Sequence, residues 1–380
     1  MTEALRVLVV FGTRPEAIKM APVVAALQSR PDTFETVIAV TAQHRDMLDQ
    51  VLRIFNITPD HDLDIMRAGQ SLAQVTVRSL EGLTPLMESV LPDVVLVQGD
   101  TTTTFAAALA AFYHHVPIGH VEAGLRTYDL EQPFPEEANR QLTTRLCRWH
   151  FAPTEQARRN LLAEGIAPST VEVTGNTVVD ALLATADRPY DFPAGPIAEA
   201  LATGRRLVLV TAHRRENWGA PLERICEAVA RIIDENPDVH VLFATHSNPI
   251  VAEPAAMRLG ALERVDLIGP QDYLPFTKLL RAATLIISDS GGIQEEAPTF
   301  GVPTLVLREV TERPEALAAG VVRLVGTQTD SIVDQANLLL QDSDEYTAMA
   351  HHANPFGDGH AAERIVDILS RDALHRARHS

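Results

Sequence analysis

Short β-branched apolar runs recur along this chain, and longer amphipathic stretches separate them. The runs cover residues 5–11, 37–41, 93–98, 117–122 and 171–174, then 207–211, 239–245, 265–268, 285–288 and 304–308. They do not alternate apolar with polar residues, so each predicts a strand buried on both faces. Between them, stretches such as 15–28, 72–90 and 222–234 carry helical patterning. Strand–helix repetition of this kind predicts an α/β chain with doubly wound parallel sheets. A length of 380 residues suits two such domains, each able to bury a core without disulfide or metal support.

One segment breaks the rhythm. Residues 187–196, DRPYDFPAGP, are rich in proline and turn formers and are read as lying just past the boundary between two α/β halves. Each half opens alike, with Leu8-Val9-Val10-Phe11-Gly12-Thr13-Arg14 in the first and Leu207-Val208-Leu209-Val210-Thr211-Ala212-His213 in the second. We expect domains over 1–175 and 176–360, and a last helix within 361–380, from about 361 to 370, that crosses back to the first domain; the tail beyond it reads as frayed. Open sheets of this type place ligands at the carboxyl ends of their strands, in a cleft between domains.

Composition narrows the partners. The formal net charge is −18, which opposes non-specific nucleic-acid binding, because that affinity comes mainly from neutralised phosphates. The first apolar run, 7–11, is far too short for a signal sequence, and no run approaches a membrane span. The two cysteines, Cys147 and Cys226, lie far apart and form no C-x-x-C or Cys/His cluster. A cytoplasmic protein with reduced thiols and no metal is expected. The pairs His114-His115 and His351-His352 have no ligand spacing with acids and read as surface residues.

Five places could carry chemistry. In Gly12-Thr13-Arg14-Pro15-Glu16, Gly12 allows a tight turn and Pro15 suits the first position of a helix. Arg14 would then stand at a helix N-terminus, an arrangement that suits an anion, with Lys19 on the same face. A solvated Arg and Lys on a surface helix is the plain alternative. In Ser288-Asp289-Ser290-Gly291-Gly292, a strand runs into a Ser/Gly turn whose N–H groups from Ser290 to Gly292 can converge on phosphate oxygens. Glu296, about a turn further on, could accept ribose hydroxyls. An ordinary capped turn is the alternative here. A serine-protease Asp-Ser-Gly-Gly is rejected, because helical patterning follows directly. There is no G-x-S-x-G, and the absence of G-x-G-x-x-G after the first strand counts against NAD or FAD.

The third place is a set of carboxylates, Asp100, Glu122 and Glu136, each predicted at the carboxyl edge of the first sheet. Singly, Asp100 looks like a helix N-cap and Glu136 like a partner of a helix dipole. Converging on one sheet edge, the three make a general acid/base site. His213, after the first strand of the second half, would face them across the cleft. Arg313, in the charged loop 308–315, could enter the same cleft and meet a diphosphate, or could simply be solvated.

Taken together, these segments resemble the bacterial non-hydrolysing UDP-N-acetylglucosamine 2-epimerases. The matching stretches are GTRPEAIKMAPV from Gly12, TAQHRDMLDQV from Thr41, VQGDTTTTFAAALAAF from Val97, HVEAGLRT from His120 and PFPEEANRQLTT from Pro133. In the second half they are VTGNTVVDAL, TAHRRENWG, SDSGGIQEEAP, REVTERPEA and NPFGDGHAAERI. The resemblance covers nearly the whole chain, in order. It implies two Rossmann-like domains of the GT-B type, no cofactor and a homodimer. The activity implied is interconversion of UDP-GlcNAc and UDP-ManNAc, supplying ManNAc units for bacterial surface polysaccharides.

The resemblance also implies roles. Asp100, Glu122 and Glu136 match the family's acid/base carboxylates. Arg14, Lys19, His213 and Arg313 match positions that contact the nucleotide sugar. So do Ser290, Gly291, Gly292 and Glu296, together with Gln271 and Phe276 in a loop suited to uracil. Gln43, His44 and Arg67 fall in segments tied to an activating second UDP-GlcNAc, although Asp46 stands where relatives often carry Glu or Gln. The nearest rival is a hydrolysing 2-epimerase, whose relatives usually depart from the Arg14-Pro15-Glu16 pattern kept here. A GT-B glycosyltransferase would not need all three carboxylates. A nucleotide-sugar sensor without turnover would need none of them.

Overall fold

A computed structural model describes residues 4–41, 45–67, 69–245 and 248–377, with the side chains of 45–47 and 372–377 outside the description. The chain divides into two compact units. The first comprises residues 1–181 together with 356–380, and the second comprises 182–355.

The first unit is built on a sheet of β1 (Leu5–Phe11), β2 (Phe34–Val40), β3 (His61–Asp62), β4 (Val94–Gln98), β5 (Ile118–Val121), β6 (Trp149–Ala152) and β7 (Val171–Val173). Every pairing is parallel, in the order β3-β2-β1-β4-β5-β6-β7. The second unit repeats the plan with β8 (Arg206–Thr211), β9 (Val239–Ala244), β10 (Val265–Ile268), β11 (Leu285–Ser288), β12 (Thr304–Val306) and β13 (Val322–Leu324), in the order β10-β9-β8-β11-β12-β13. Its pairings are parallel too. Each unit is therefore a doubly wound Rossmann-like sheet. Strand order reverses between β1 and β4 in one and between β8 and β11 in the other, and ligands of such sheets bind at those reversals.

The central strands explain this plan. Val7 to Phe11 and Val94 to Val97 are essentially buried on both faces, and helices must then cover both sides of the sheet. Three strands escape the apolar pattern. Two of them, β3 and β13, have only two and three residues. The other, β6, reads Trp149-His150-Phe151-Ala152, with a histidine in the middle. His150 is buried with Nε2 3.0 Å from the Thr144 carbonyl and Nδ1 3.2 Å from the Thr170 carbonyl, and the neutral ring can donate to one of the two.

Two local expectations need correction. The first helix, Arg14–Gln28, is capped by Thr13, so Pro15 occupies its second position rather than its first. Thr13 and Glu16 form a reciprocal capping box, which fixes the start one residue earlier. Gly12 is required for space rather than for a turn: a Cβ there would lie 2.0 Å from Thr41 Oγ1 and 2.8 Å from Thr103 Oγ1.

After the second unit the chain re-enters the first. The Asn176 N–H donates to the Phe356 carbonyl at 2.6 Å. The Ala362 N–H donates to Asp180 Oδ1 at 2.8 Å. The last helix, Ala361–Ala377, buries Ile365, Val366 and Leu369 and ties Asp367 to Arg30 at 2.6 Å. It is helical beyond residue 370, and the last three residues lie outside the described ones.

Candidate active site

In the first unit the reactive groups gather at the carboxyl ends of the strands beside the β1/β4 reversal. Glu16, in the first turn after β1, reaches across it. Its Oε2 accepts from the N–H groups of Gly12 and Thr13 at 2.9 and 2.7 Å. Its Oε1 accepts from Thr101 and Thr104 hydroxyls at 2.6 and 3.0 Å on the β4 side. Burial pushes the Glu16 carboxyl above its usual range, and these bonds oppose that shift. Glu16 thus joins the loops that carry Arg14 and Asp100. Arg14 itself is half-buried and forms no hydrogen bond among the described residues.

Glu122 follows the last residue of β5 and has a left-handed backbone, φ 64°, which is costly for a residue with a Cβ. Strain of that kind persists only where the surroundings over-determine it, and here they do. Lys19 Nζ lies 2.6 and 2.7 Å from the two carboxylate oxygens. The Gln98 amide donates to Oε2, and the Asn176 amide donates to Oε1 at 3.2 Å. The Glu122 side chain is 4% exposed and that of Lys19 15%. Each of these contacts is from a donor, which suits an anionic, proton-accepting carboxylate. Lys19 is thus an ion-pair partner of Glu122.

Asp100 is not the N-cap of the following helix; Thr101 is. The Asp100 carboxylate projects instead and is held by Arg140, whose Nε and Nη2 lie 2.8 and 2.7 Å from Oδ2. Arg140 sits on the helix Glu136–Leu146, whose Asn139 amide also donates to the Asp100 carbonyl at 2.9 Å. Glu136 is the first residue of that helix, half-buried, with its carboxylate unbonded among the described residues. Its neighbour Glu137 is fully buried and accepts from Gln141, Arg140 and the N–H groups of Thr127 and Tyr128. Burial opposes ionisation of Glu137, but those donors outweigh it and hold its carboxyl below the usual range. Glu137 is structural, and Glu136 is the one of the pair whose carboxylate forms no hydrogen bond among the described residues.

The second unit gathers its groups at the β8/β11 reversal. His213 follows β8 and Asp289 follows β11. Asp289 Oδ2 accepts from the N–H groups of His213 and Arg214 and from the Asn217 amide, each at 2.9 Å. Asp289 Oδ1 lies 2.8 Å from His213 Nδ1. The Asp289 side chain is fully buried, whereas that of His213 is 48% exposed. Burial alone would raise the Asp289 carboxyl, but His213 and the other donors hold it below the usual range.

Ser290 caps the six-residue helix Gly291–Glu296, which Glu296 closes. Neither Gly291 nor Gly292 has a positive φ, and a Cβ on either would meet nothing closer than 3.8 Å. Internal packing thus does not demand glycine there. Arg313 is held by the buried Glu295, and its backbone N–H donates to Thr311 Oγ1 at 3.0 Å. Gln271 lies in a loop, with its amide donating to Gly269 O at 2.9 Å. Phe276 is not in that loop: it lies inside the helix Tyr273–Ala282 and packs on the core. Tyr273 and Pro275 turn inward, so the segment after Asp272 continues as helix.

Arg67 is exposed, and among the described residues its hydrogen bonds run to nearby groups, including the Met66 carbonyl at 2.7 Å. Gln43 and His44 lie outside the described residues. No helix among the described residues is long and apolar enough to cross a membrane. Sequence reasoning did not single out Gln98, Asn176, Arg140, Asp289 or Glu295. Asp289 lay in plain view in the Ser288–Gly292 motif, but only the loop after β8 shows what it binds.

Two doubly wound parallel units with charged groups at both strand-order reversals define a Rossmann-like α/β protein similar to GT-B structures. A glycosyltransferase of kitacinnamycin, 14% identical, shares this fold with TM-score 0.66 over 97% of this chain and 99% of its own. The UDP-N-acetylglucosamine 2-epimerase family profile matches residues 25–370, and the chain belongs to that family. It is 55% identical to the UDP-N-acetylglucosamine 2-epimerase of Yersinia pestis over 370 residues, covering 96% of this chain and 98% of the relative. The structure of a Listeria monocytogenes homologue, 49% identical, superimposes with TM-score 0.93 over 98% of both chains. The Neisseria meningitidis UDP-GlcNAc 2-epimerase, solved bound to UDP-GlcNAc, is 48% identical with TM-score 0.85, covering 97% of this chain and all of that one.

Proposed function

We propose that this chain interconverts UDP-GlcNAc and UDP-ManNAc by reversible elimination of UDP, without net hydrolysis. The observation that carries the reading is Glu122, a carboxylate buried among donors and held on a strained backbone, in a family whose Neisseria meningitidis member binds UDP-GlcNAc.

The sugar dictates what the site must do. The C2 proton is not next to a carbonyl and is hardly acidic. Departure of UDP breaks the C1–O bond, and its electron pair leaves with the diphosphate. A carboxylate takes the C2 proton, and the C2–H electron pair becomes the C1=C2 bond of 2-acetamidoglucal. Protonation on the opposite face and return of UDP gives the epimer. Protons move on two faces, which asks for more than one carboxyl group. Glu122, Asp100 and Glu136 supply them.

The leaving diphosphate needs positive stabilisation, and Arg14, His213 and Arg313 supply it along with the N–H groups of Ser290, Gly291 and Gly292. The bare glycines leave room for phosphate oxygens to approach the backbone. Gln271 and Phe276 hold uracil, and Glu296 the ribose. Lys19 serves the sugar through Glu122. Gln43, His44 and Arg67 form an activating site for a second UDP-GlcNAc, in a cytoplasmic homodimer that supplies ManNAc units.

The test is proton NMR of UDP-GlcNAc with the purified protein in D2O, without added cofactor. UDP-ManNAc, with deuterium gained at C2 of both epimers, is the expected result. Free ManNAc with UDP would replace this reading by the hydrolysing reaction, and an unchanged spectrum would remove the epimerase reading altogether.

A further inference from the structure

The Asp289–His213 pair is positioned more closely than a diphosphate contact requires. All three donors on Asp289 Oδ2 come from the loop that carries His213: its own N–H, that of Arg214 and the Asn217 amide. That loop is thereby held at backbone level. The remaining oxygen, Oδ1, is buried and accepts no well-angled hydrogen bond among the described residues. Its neighbour is His213 Nδ1 at 2.8 Å. A carboxylate oxygen can only accept, so it is satisfied only if Nδ1 carries a proton. The neutral imidazole then has its lone pair on Nε2, and an Nε2–H exists only when the ring is protonated.

We infer that Asp289 is a positioning residue that holds His213 in the Nδ1–H tautomer, so that Nε2 can both give a proton to the departing diphosphate and take it back. This rests on the epimerase reading. In the forward step the C1–O bond breaks, its electron pair goes to the β-phosphate oxygen, and the proton on Nε2 passes to that oxygen. Neutral His213, with Nδ1–H kept on Asp289, is left with an Nε2 lone pair. On re-addition the same oxygen forms its bond to C1 and returns its proton to Nε2. Reversibility is thus built in: the ring ends each cycle as it began. With the opposite tautomer, Nε2 would be a fixed neutral donor unable to recover a proton.

The decisive readout is 15N–1H NMR of the 15N-histidine-labelled full chain saturated with UDP, with the His213 signals assigned from a His213→Gln sample. In its neutral form the ring should show a pyrrole-type Nδ1 and a bare Nε2. A bare Nδ1 would overturn the inference. In Asp289→Asn, the new amide can donate to Nδ1, so the tautomer should switch. In that variant kcat should fall about 100-fold, while UDP binding stays within threefold. Unchanged kcat in a variant with the switched tautomer would also overturn it. The tautomer is read with UDP and no turnover, so an inactive wild-type protein would sink the epimerase reading while the NMR result still decides the role of Asp289.

Discussion

Lys19 and Glu122, 103 residues apart in sequence, meet with the ammonium nitrogen 2.6 and 2.7 Å from the two carboxylate oxygens. Breaking a buried pair on one side leaves an uncompensated charge, which costs more than the pair contributes. Lys19→Met should therefore destabilise the fold by about 3 kcal/mol in urea denaturation, and epimerisation should fall with it. Glu122→Gln should abolish turnover. The double variant, with neither charge, should recover most of the stability and none of the activity. Substantial turnover by Glu122→Gln would remove this carboxylate from the chemistry.

Arg140 places both Nε and Nη2 on one oxygen of Asp100. That fork holds the carboxylate in one orientation, and an ammonium cannot reproduce it. Arg140→Lys should lower kcat about tenfold while UDP affinity, measured by calorimetry, changes little. Loss of affinity with unchanged kcat would assign Arg140 to nucleotide binding.

His120 is buried with Nε2 at 2.7 Å from the Gly99 carbonyl and Nδ1 unpartnered. Burial lowers its pKa from 6.5 to about 3. The unfolded chain therefore binds this proton below pH 6.5 and the folded chain does not. Stability from the neutral ring is full above pH 6.5 and is lost as pH falls toward 3, by about 1.4 kcal/mol per pH unit. His120→Gln keeps a donor for Gly99 but cannot titrate. Chemical denaturation between pH 7 and 5 should show a shallower acid loss for the variant, and parallel slopes would refute the assignment.

Gly12 has no room for a methyl group between Thr41 and Thr103. Gly12→Ala should cost about 1–3 kcal/mol and displace the loop carrying Arg14. Pairing it with Thr41→Ala, which removes the nearer hydroxyl, should restore part of that loss. An unchanged denaturation midpoint for Gly12→Ala would show that the loop yields freely.

The parallel sheets were legible because their central strands are uninterrupted aliphatic runs, which have few other ways to be buried. Short strands such as β3 and β13 carry too few residues for any pattern. The loops after β1, β4, β8 and β11 could be picked out because glycines, hydroxyls and charges follow a buried strand. Their partners could not. Gln98 and Asn176 look like ordinary polar residues until the fold brings them to Glu122. Asp289 reads as part of a phosphate turn, and its bonds run to a loop more than seventy residues earlier. Helix starts were misplaced by one residue at Pro15 because a proline suits either of the first two positions, and the Thr13–Glu16 reciprocity decides between them.

The chain leaves and re-enters the first unit at neighbouring points, joined by the Asn176–Phe356 and Asp180–Ala362 hydrogen bonds. In architectural terms the second unit is an insert, and the first is a split fold whose last piece is made last. Synthesis on the ribosome must therefore complete the inserted unit before the earlier one can receive its closing helix. A short peptide joining the two crossing points would ask little of the backbone, so the host unit is a natural scaffold for receiving other inserts.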